Sequence, residues 1–191
     1  MKKILKISLV GRTNAGKSTL INSLVGENIS ITNKVGSIGG FSSSTRGYIL
    51  GGGRYLAPDT ASFNTIQVVT ISTTGDATDF GDMLYANYSM GAGSNAVRGI
   101  KGGGYGPNYT SRIEFTTLSS EGNSVYFGDL TGFNGTGKGG ASSPTRFVVG
   151  GGYGTSPHFM NTIEFVTIMS TGNSQDFGDL AVTTNAGNTQ A

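Results

Sequence analysis

Gly39-Gly40-Phe41-Ser42-Ser43-Ser44-Thr45-Arg46 returns as Gly91-Ala92-Gly93-Ser94-Asn95-Ala96-Val97-Arg98 and again as Gly139-Gly140-Ala141-Ser142-Ser143-Pro144-Thr145-Arg146, and this repeat of about fifty residues decides the fold. Each opening leads to a triple glycine, at Gly51 to Gly53, Gly102 to Gly104 and Gly150 to Gly152. An apolar run centred on Ile66, Ile113 or Ile163 follows, and Phe-Gly-Asp comes next at Phe80 to Asp82, Phe127 to Asp129 and Phe177 to Asp179. The three repeats span residues 39–90, 91–138 and 139–191. A unit of this kind cannot bury its apolar face alone and must stack on its neighbours.

Within the repeats, Asn64 to Ile71, Ser111 to Leu118 and Asn161 to Ile168 read as the second strand of each. Side chains alternate across a strand, so Ile113, Phe115 and Thr117 share one face and Thr116 and Leu118 the other. Apolar groups on both faces suit a sheet held between two others, as in a propeller. Turns rich in glycine and asparagine follow at Thr74-Gly75-Asp76, Glu121-Gly122-Asn123 and Thr171-Gly172-Asn173.

This order of parts over residues 36–180 resembles kelch repeats, with Phe80, Phe127 and Phe177 standing where a kelch blade usually has tryptophan. The phrases Thr171 to Leu180 and Ser42 to Gly47 also resemble glycine-rich repeats in tail-fibre-like structural proteins of marine bacteriophages. The resemblance implies a mainly β fold of kelch-like antiparallel blades, a partial β-propeller of three repeats. It also implies binding through loops and no chemistry in the repeats.

A second signal precedes the repeats. Ile4 to Val10 is apolar apart from Lys6 and Ser8, as a strand buried on both faces requires. Gly11 to Ser18 then has the spacing G-x-x-x-x-G-K-[ST], the Walker A phosphate loop. Glycines let backbone N–H groups turn inward around a phosphate, Lys17 reaches the outer phosphates, and the Ser18 hydroxyl can ligate Mg²⁺. Leu20, Ile21, Leu24 and Val25 continue at helical spacing to Gly26. The run from Leu9 to Gly26, followed by Ile29 to Thr32, resembles the start of the Era family of GTPases, with Thr13 in place of a proline common there. By that resemblance Gly11, Asn14, Ala15, Gly16, Lys17, Ser18 and Thr19 bind GTP phosphates, with Ser18 on Mg²⁺.

The resemblance stops near Lys34. No D-x-x-G turn follows to sense the γ-phosphate, because Asp59-Thr60-Ala61-Ser62 lacks the glycine. No N-K-x-D loop follows to read guanine, because Asn33-Lys34-Val35-Gly36 lacks the aspartate. Turnover is therefore not expected, and any GTP or Mg²⁺ binding is expected to be weak. The chain reads as residues 1–34, a truncated Era-like P-loop unit of strand, loop and helix, joined to residues 35–191, the repeat region. That combination resembles a truncated fusion.

Composition supports the junction. Residues 1–34 hold three of the 33 glycines, and six Lys and Arg against one Glu; the remainder hold seven Lys and Arg against ten acidic residues. The net charge of +2 thus sums two opposite halves and marks no nucleic-acid surface. With no cysteine and one histidine, disulfides, thiolate nucleophiles and zinc clusters are excluded. Lys6 interrupts the first apolar run and Gly11 ends it, so no signal peptide and no membrane span are read; the expected location is cytoplasmic or virion-associated.

Among the repeated residues, Arg46, Arg98 and Arg146 are assigned to hydrogen bonding between blades. Asp82, Asp129 and Asp179 are assigned to turn capping, since one carboxylate per repeat is too sparse for calcium. The triple glycines mark unusual φ or close backbone approach. The loops Arg54 to Ser62, Tyr105 to Thr110 and Tyr153 to Met160 differ between repeats and carry Tyr55, Tyr105, Tyr109, Tyr153 and Phe159, so a protein or glycan surface is expected to bind there. Open ends of the array are expected to favour self-association.

Overall fold

The computed structural model describes residues 38–184 apart from 57, 58, 133, 134, 137 and 155–157. All described residues belong to the compact unit Val35–Ala191. The strand, phosphate loop and helix expected before Gly26 lie outside them.

Each repeat opening forms a hairpin. Ser43 Oγ accepts the Arg46 N–H at 3.0 Å, and Ser143 Oγ does the same for Arg146, while Asn95 Oδ1 serves Arg98 at 2.8 Å. Short polar side chains that bond their own backbone stabilise such turns. The hairpin joins β1 (Gly39–Ser42) to β2 (Arg46–Leu50). A second hairpin, β3 (Gly53–Leu56) with β4 (Asp59–Ser62), is inserted before β5 (Thr65–Thr70) and β6 (Thr78–Asp82). The first sheet has the order β1-β2-β5-β6, antiparallel throughout.

The second sheet repeats this meander with β7 (Gly91–Ser94), β8 (Arg98–Gly102), β9 (Arg112–Thr117) and β10 (Val125–Asp129). After β11 (Gly135–Thr136), the third sheet comprises β12 (Gly139–Ser142), β13 (Arg146–Gly150), β15 (Met160–Thr167) and β16 (Gln175–Thr184). β14 (Tyr153–Gly154) leaves that sheet to pair with β11. The protein is mainly β, with several antiparallel sheets and no helix among the described residues. The apolar runs around Ile66, Ile113 and Ile163 are third strands of four-stranded sheets, not second strands. The Arg-containing openings supply the two strands before them.

Two cores lie between consecutive sheets. Tyr48, Leu50, Ile66, Val68 and Phe80 of the first sheet pack with Met90, just before β7, and Leu118, just after β9 of the second. Ile100, Ile113 and Phe127 of the second pack with Phe147, Val149, Val166 and Ile168 of the third. The second sheet is therefore apolar on both faces, as its alternation requires.

The first strands β1, β7 and β12 stand beside one another. Ser94 Oγ donates to the Ser42 carbonyl at 2.6 Å, and Ser142 Oγ donates to the Ser94 carbonyl at 2.8 Å. Equivalent residues thus touch equivalent residues, so the three sheets share one orientation. Glycine is needed where they meet: a Cβ on Gly99 would enter the Phe41 ring, and one on Gly140 would meet the Ala92 backbone. In the triple glycines the left-handed pairs are Gly51 and Gly52 (φ 52° and 113°), Gly103 and Gly104 (69° and 109°), and Gly151 and Gly152 (65° and 109°). They end the second strand of each sheet and turn the chain into its variable insert.

Candidate functional site

The Phe-Gly-Asp motif is the joint between sheets. Phe80 O accepts the Gly122 N–H at 2.9 Å, Asp82 O accepts the Ser124 N–H at 2.8 Å, and Asn123 Oδ1 accepts the Asp82 N–H at 2.9 Å. The next joint repeats each contact: Gly172 N–H to Phe127 O at 2.9 Å, Ser174 N–H to Asp129 O at 2.9 Å, and Asp129 N–H to Asn173 Oδ1 at 3.0 Å. The asparagine turns expected to reverse the chain also clamp the preceding sheet.

The arginines play the part assigned to them at one position. Arg98 donates across the joint to the Ile168 carbonyl at 3.1 Å, while its guanidinium lies 4.2 Å from the Phe115 ring centre. At the preceding joint the Tyr48 hydroxyl takes over, donating to the Leu118 carbonyl at 2.8 Å. The Asp129 carboxylate accepts from Ser111 Oγ at 3.0 Å and from the Tyr126 hydroxyl, holding its own sheet end together. Among the described residues no group of three or more His, Cys, Asp or Glu could hold a metal ion.

A buried charged pair escaped the sequence reading. Lys101 Nζ lies 3.0 Å from Glu114 Oε1, both side chains almost wholly buried. Burial pushes the Lys101 ammonium below its ordinary pKa, and the Glu114 charge opposes that shift. Glu114 Oε2 also accepts the Leu84 N–H at 3.1 Å, tying down the chain as it leaves the first sheet. Glu164 does the same for the exit from the second sheet, accepting from Thr131 N at 2.8 Å, Gly132 N at 2.7 Å and Ser174 Oγ at 2.6 Å. Lys138 is buried nearby, its pKa lowered by burial against the Glu164 charge. Glutamate recurring in Ile113-Glu114-Phe115 and Ile163-Glu164-Phe165, with Gln67 in the first repeat, was the available signal. A carboxylate inside an apolar strand needs a buried partner.

The variable inserts sit at one common end of the array, because the sheets share one orientation and each insert follows the second strand. In the second sheet the Tyr105 ring lies 5.4 Å from that of Tyr88 and 4.9 Å from that of Tyr109. Backbone bonds between Tyr88 and Tyr105, at 2.8 and 2.9 Å, fix the pair. In the third, Tyr153 stacks on His158 at 5.3 Å and meets Phe159 edge-on at 5.6 Å. The His158 Nδ1 lies 3.1 Å from the Gly154 carbonyl. Phe159 and Tyr85 are each about half exposed at this end, the latter with Arg112 4.4 Å over its ring. Tyr105, Tyr109, Tyr153 and Phe159 are thus brought to one end; the Tyr55 side chain lies outside the description.

Gly11, Asn14, Ala15, Gly16, Lys17, Ser18 and Thr19 lie outside the described residues. The chain beyond them does bear on the group they would hold. Asp59 to Ser62 is strand β4, paired with β3, and carries no D-x-x-G turn.

Residues 6–74 match the model of a family described as 50S ribosome-binding GTPase, just over a third of the chain. The GTPase HflX of Thermococcus kodakarensis is 44% identical over 57 residues, which is 30% of this chain and 12% of that protein. The GTPase Era of Tropheryma whipplei is 81% identical over 26 residues, 14% of this chain and 9% of that protein. The chain thus spans about a tenth of the length of these curated relatives. The match runs on through β1 to β5 and so takes in β1, β2 and β5 of the first sheet, although that sheet is an antiparallel meander built as the other two are. No helix among the described residues is long and apolar enough to cross a membrane. Over part of its length, then, this chain is similar to P-loop GTPases, with Era- and HflX-like matches.

Proposed function

We propose that the chain is a non-enzymatic binding and structural module of kelch-like blades, tail-fibre-like in role, carrying an incomplete GTP-binding P-loop. One observation carries the reading: the inserts of equally oriented sheets bring the Tyr88–Tyr105–Tyr109 and Tyr153–His158–Phe159 clusters to one end. Tyrosine offers large contact area at low entropic cost, and such a face suits a protein or glycan surface. The rigid frame beneath supplies pre-organisation. Binding of the chain to arrays of immobilised glycans and of bacterial surface proteins tests this. Tyr105→Ala with Tyr109→Ala should weaken capture at least tenfold while leaving the β circular-dichroism spectrum unchanged; capture indifferent to both changes would overturn the reading.

The match over residues 6–74 favours a second reading, a GTP-binding protein of the Era family with a divergent C-terminal region. In both readings Gly11 to Thr19 hold the phosphates, Lys17 neutralises the outer charge and Ser18 supplies a hydroxyl to Mg²⁺. Titration with GTP and ATP, with and without Mg²⁺, separates them. The first expects weak binding that barely distinguishes the bases, lost in Lys17→Ala, and no turnover; GTP-selective binding with Lys17-dependent hydrolysis would establish the second.

A further inference from the structure

The joint between sheets has two halves, and among the described residues one of each is left exposed. On the leading face, Phe80 and Phe127 are 3% and 2% exposed beneath the next sheet, whereas Phe177, the same residue of the third sheet, is 54% exposed. A Cβ on Gly81 or Gly128 would strike the carbonyl of Gly122 or Gly172, whereas one on Gly178 meets nothing within 4 Å. Arg146 is held 4.6 Å over Phe165, in the pose that Arg98 holds over Phe115 while donating to Ile168. On the trailing face, Leu118 and Ile168 are 4% and 0% exposed, whereas Ile71, their counterpart, is 58% exposed.

We infer that these two faces dock on each other between copies of this chain, the third sheet of one copy receiving the first sheet of the next. The occupant is a second copy because the exposed halves are complementary in the sense the two internal joints already use. Phe177 takes the place of Phe127 and Ile71 that of Ile168. Arg146 reaches the Ile71 carbonyl as Arg98 reaches that of Ile168, and the backbone of Phe177 and Asp179 receives the turn at Gly75. Such a contact is heterologous, so it closes a ring where the rotation permits and otherwise propagates. Two copies supply six sheets, within the four to eight of closed propellers.

The test is oligomer size against concentration by light scattering and sedimentation, with circular dichroism to show that each variant folds. The chain should associate reversibly. Phe177→Asp and Ile71→Asp, both at exposed positions, should each weaken association at least tenfold, and Arg146→Ala should weaken it less. An equimolar mixture of the two Asp variants should recover pairing, because each retains the half that the other lacks. A monomer at every concentration would overturn the inference. So would association untouched by either Asp variant, or lost in Phe177→Asp alone and not recovered on mixing, the signature of a symmetric contact between identical faces.

Discussion

The same phenylalanine in the same motif should be worth very different amounts in the second and third sheets. Phe127 is 2% exposed, enclosed by the second and third sheets, whereas Phe177 is 54% exposed, with Phe165 edge-on at 5.9 Å between ring centres. Truncation of a buried phenylalanine costs roughly 3–5 kcal/mol, the lost transfer free energy plus a cavity that neighbours fill only in part. Phe177 loses about half of a transfer worth roughly 1.5–3 kcal/mol and leaves no enclosed cavity, so its cost is about 1 kcal/mol. In a chain of this size each kcal/mol moves the melting temperature by about 2–4 °C. Phe127→Ala should therefore lower it by roughly 6–20 °C, and Phe177→Ala by no more than about 4 °C. Differential scanning fluorimetry at a dilution where the chain is monomeric measures both. Equal losses would refute the reasoning, since they would show Phe177 to be covered as fully as Phe127 within a single chain.

Gly128→Ala pushes a methyl group into the Gly172 carbonyl and should cost about 1–3 kcal/mol by overpacking, read from urea unfolding. Lys101→Met strands the Glu114 carboxylate in the core at a cost of about 3–5 kcal/mol, and adding Glu114→Leu should recover most of it, as a double-mutant cycle of unfolding would show. Burial lowers the folded-state pKa of Lys138 and Lys101 below 10.5, so the unfolded chain binds more protons between that depressed value and 10.5. Stability from these groups accordingly rises with pH through that window and levels off above it; melting curves at successive pH values should show a shallower rise in Lys138→Met than in the unchanged chain.

Much of this architecture is legible in the residues because the period is covalent. Three copies of the opening, the triple glycine and Phe-Gly-Asp leave little freedom but to form three alike sheets, and alternation in Ile113 to Leu118 already requires apolar contact on both faces. Strand number within a sheet was not legible. Gly-Gly-Phe-Ser and Gly-Ala-Gly-Ser have little β propensity, and they become strands because glycine lets β1, β7 and β12 approach closely enough for one serine to reach the next. Phe-Gly-Asp reads as a strand end with a turn, yet its function is to receive a turn from 41 residues away, as Asp82 with Asn123 shows. Local sequence carries no mark of a partner so distant. The loop tyrosines could be named, whereas their meeting on one end follows only from the common orientation of the sheets.

What the joints require is a geometry, and different side chains meet it within this one chain. A carbonyl at the end of the third strand needs a donor from the preceding sheet: a tyrosine hydroxyl supplies it to Leu118 and an arginine to Ile168. A chain leaving one sheet needs a carboxylate from the next: Glu114 offers it beside Lys101, and Glu164 offers it beside Ser174. Each solution satisfies a buried polar group whose neglect would cost about 1–3 kcal/mol, so a joint tolerates exchange of residues but not loss of the bond. Arg146 over Phe165 and the open Gly178 meet the same requirement on the face that no sheet of this unit covers among the described residues. A side chain already held in its bonded pose has surrendered its rotamer entropy before its partner arrives, which is why the exposed face of the third sheet is a prepared half of a joint and not merely an edge.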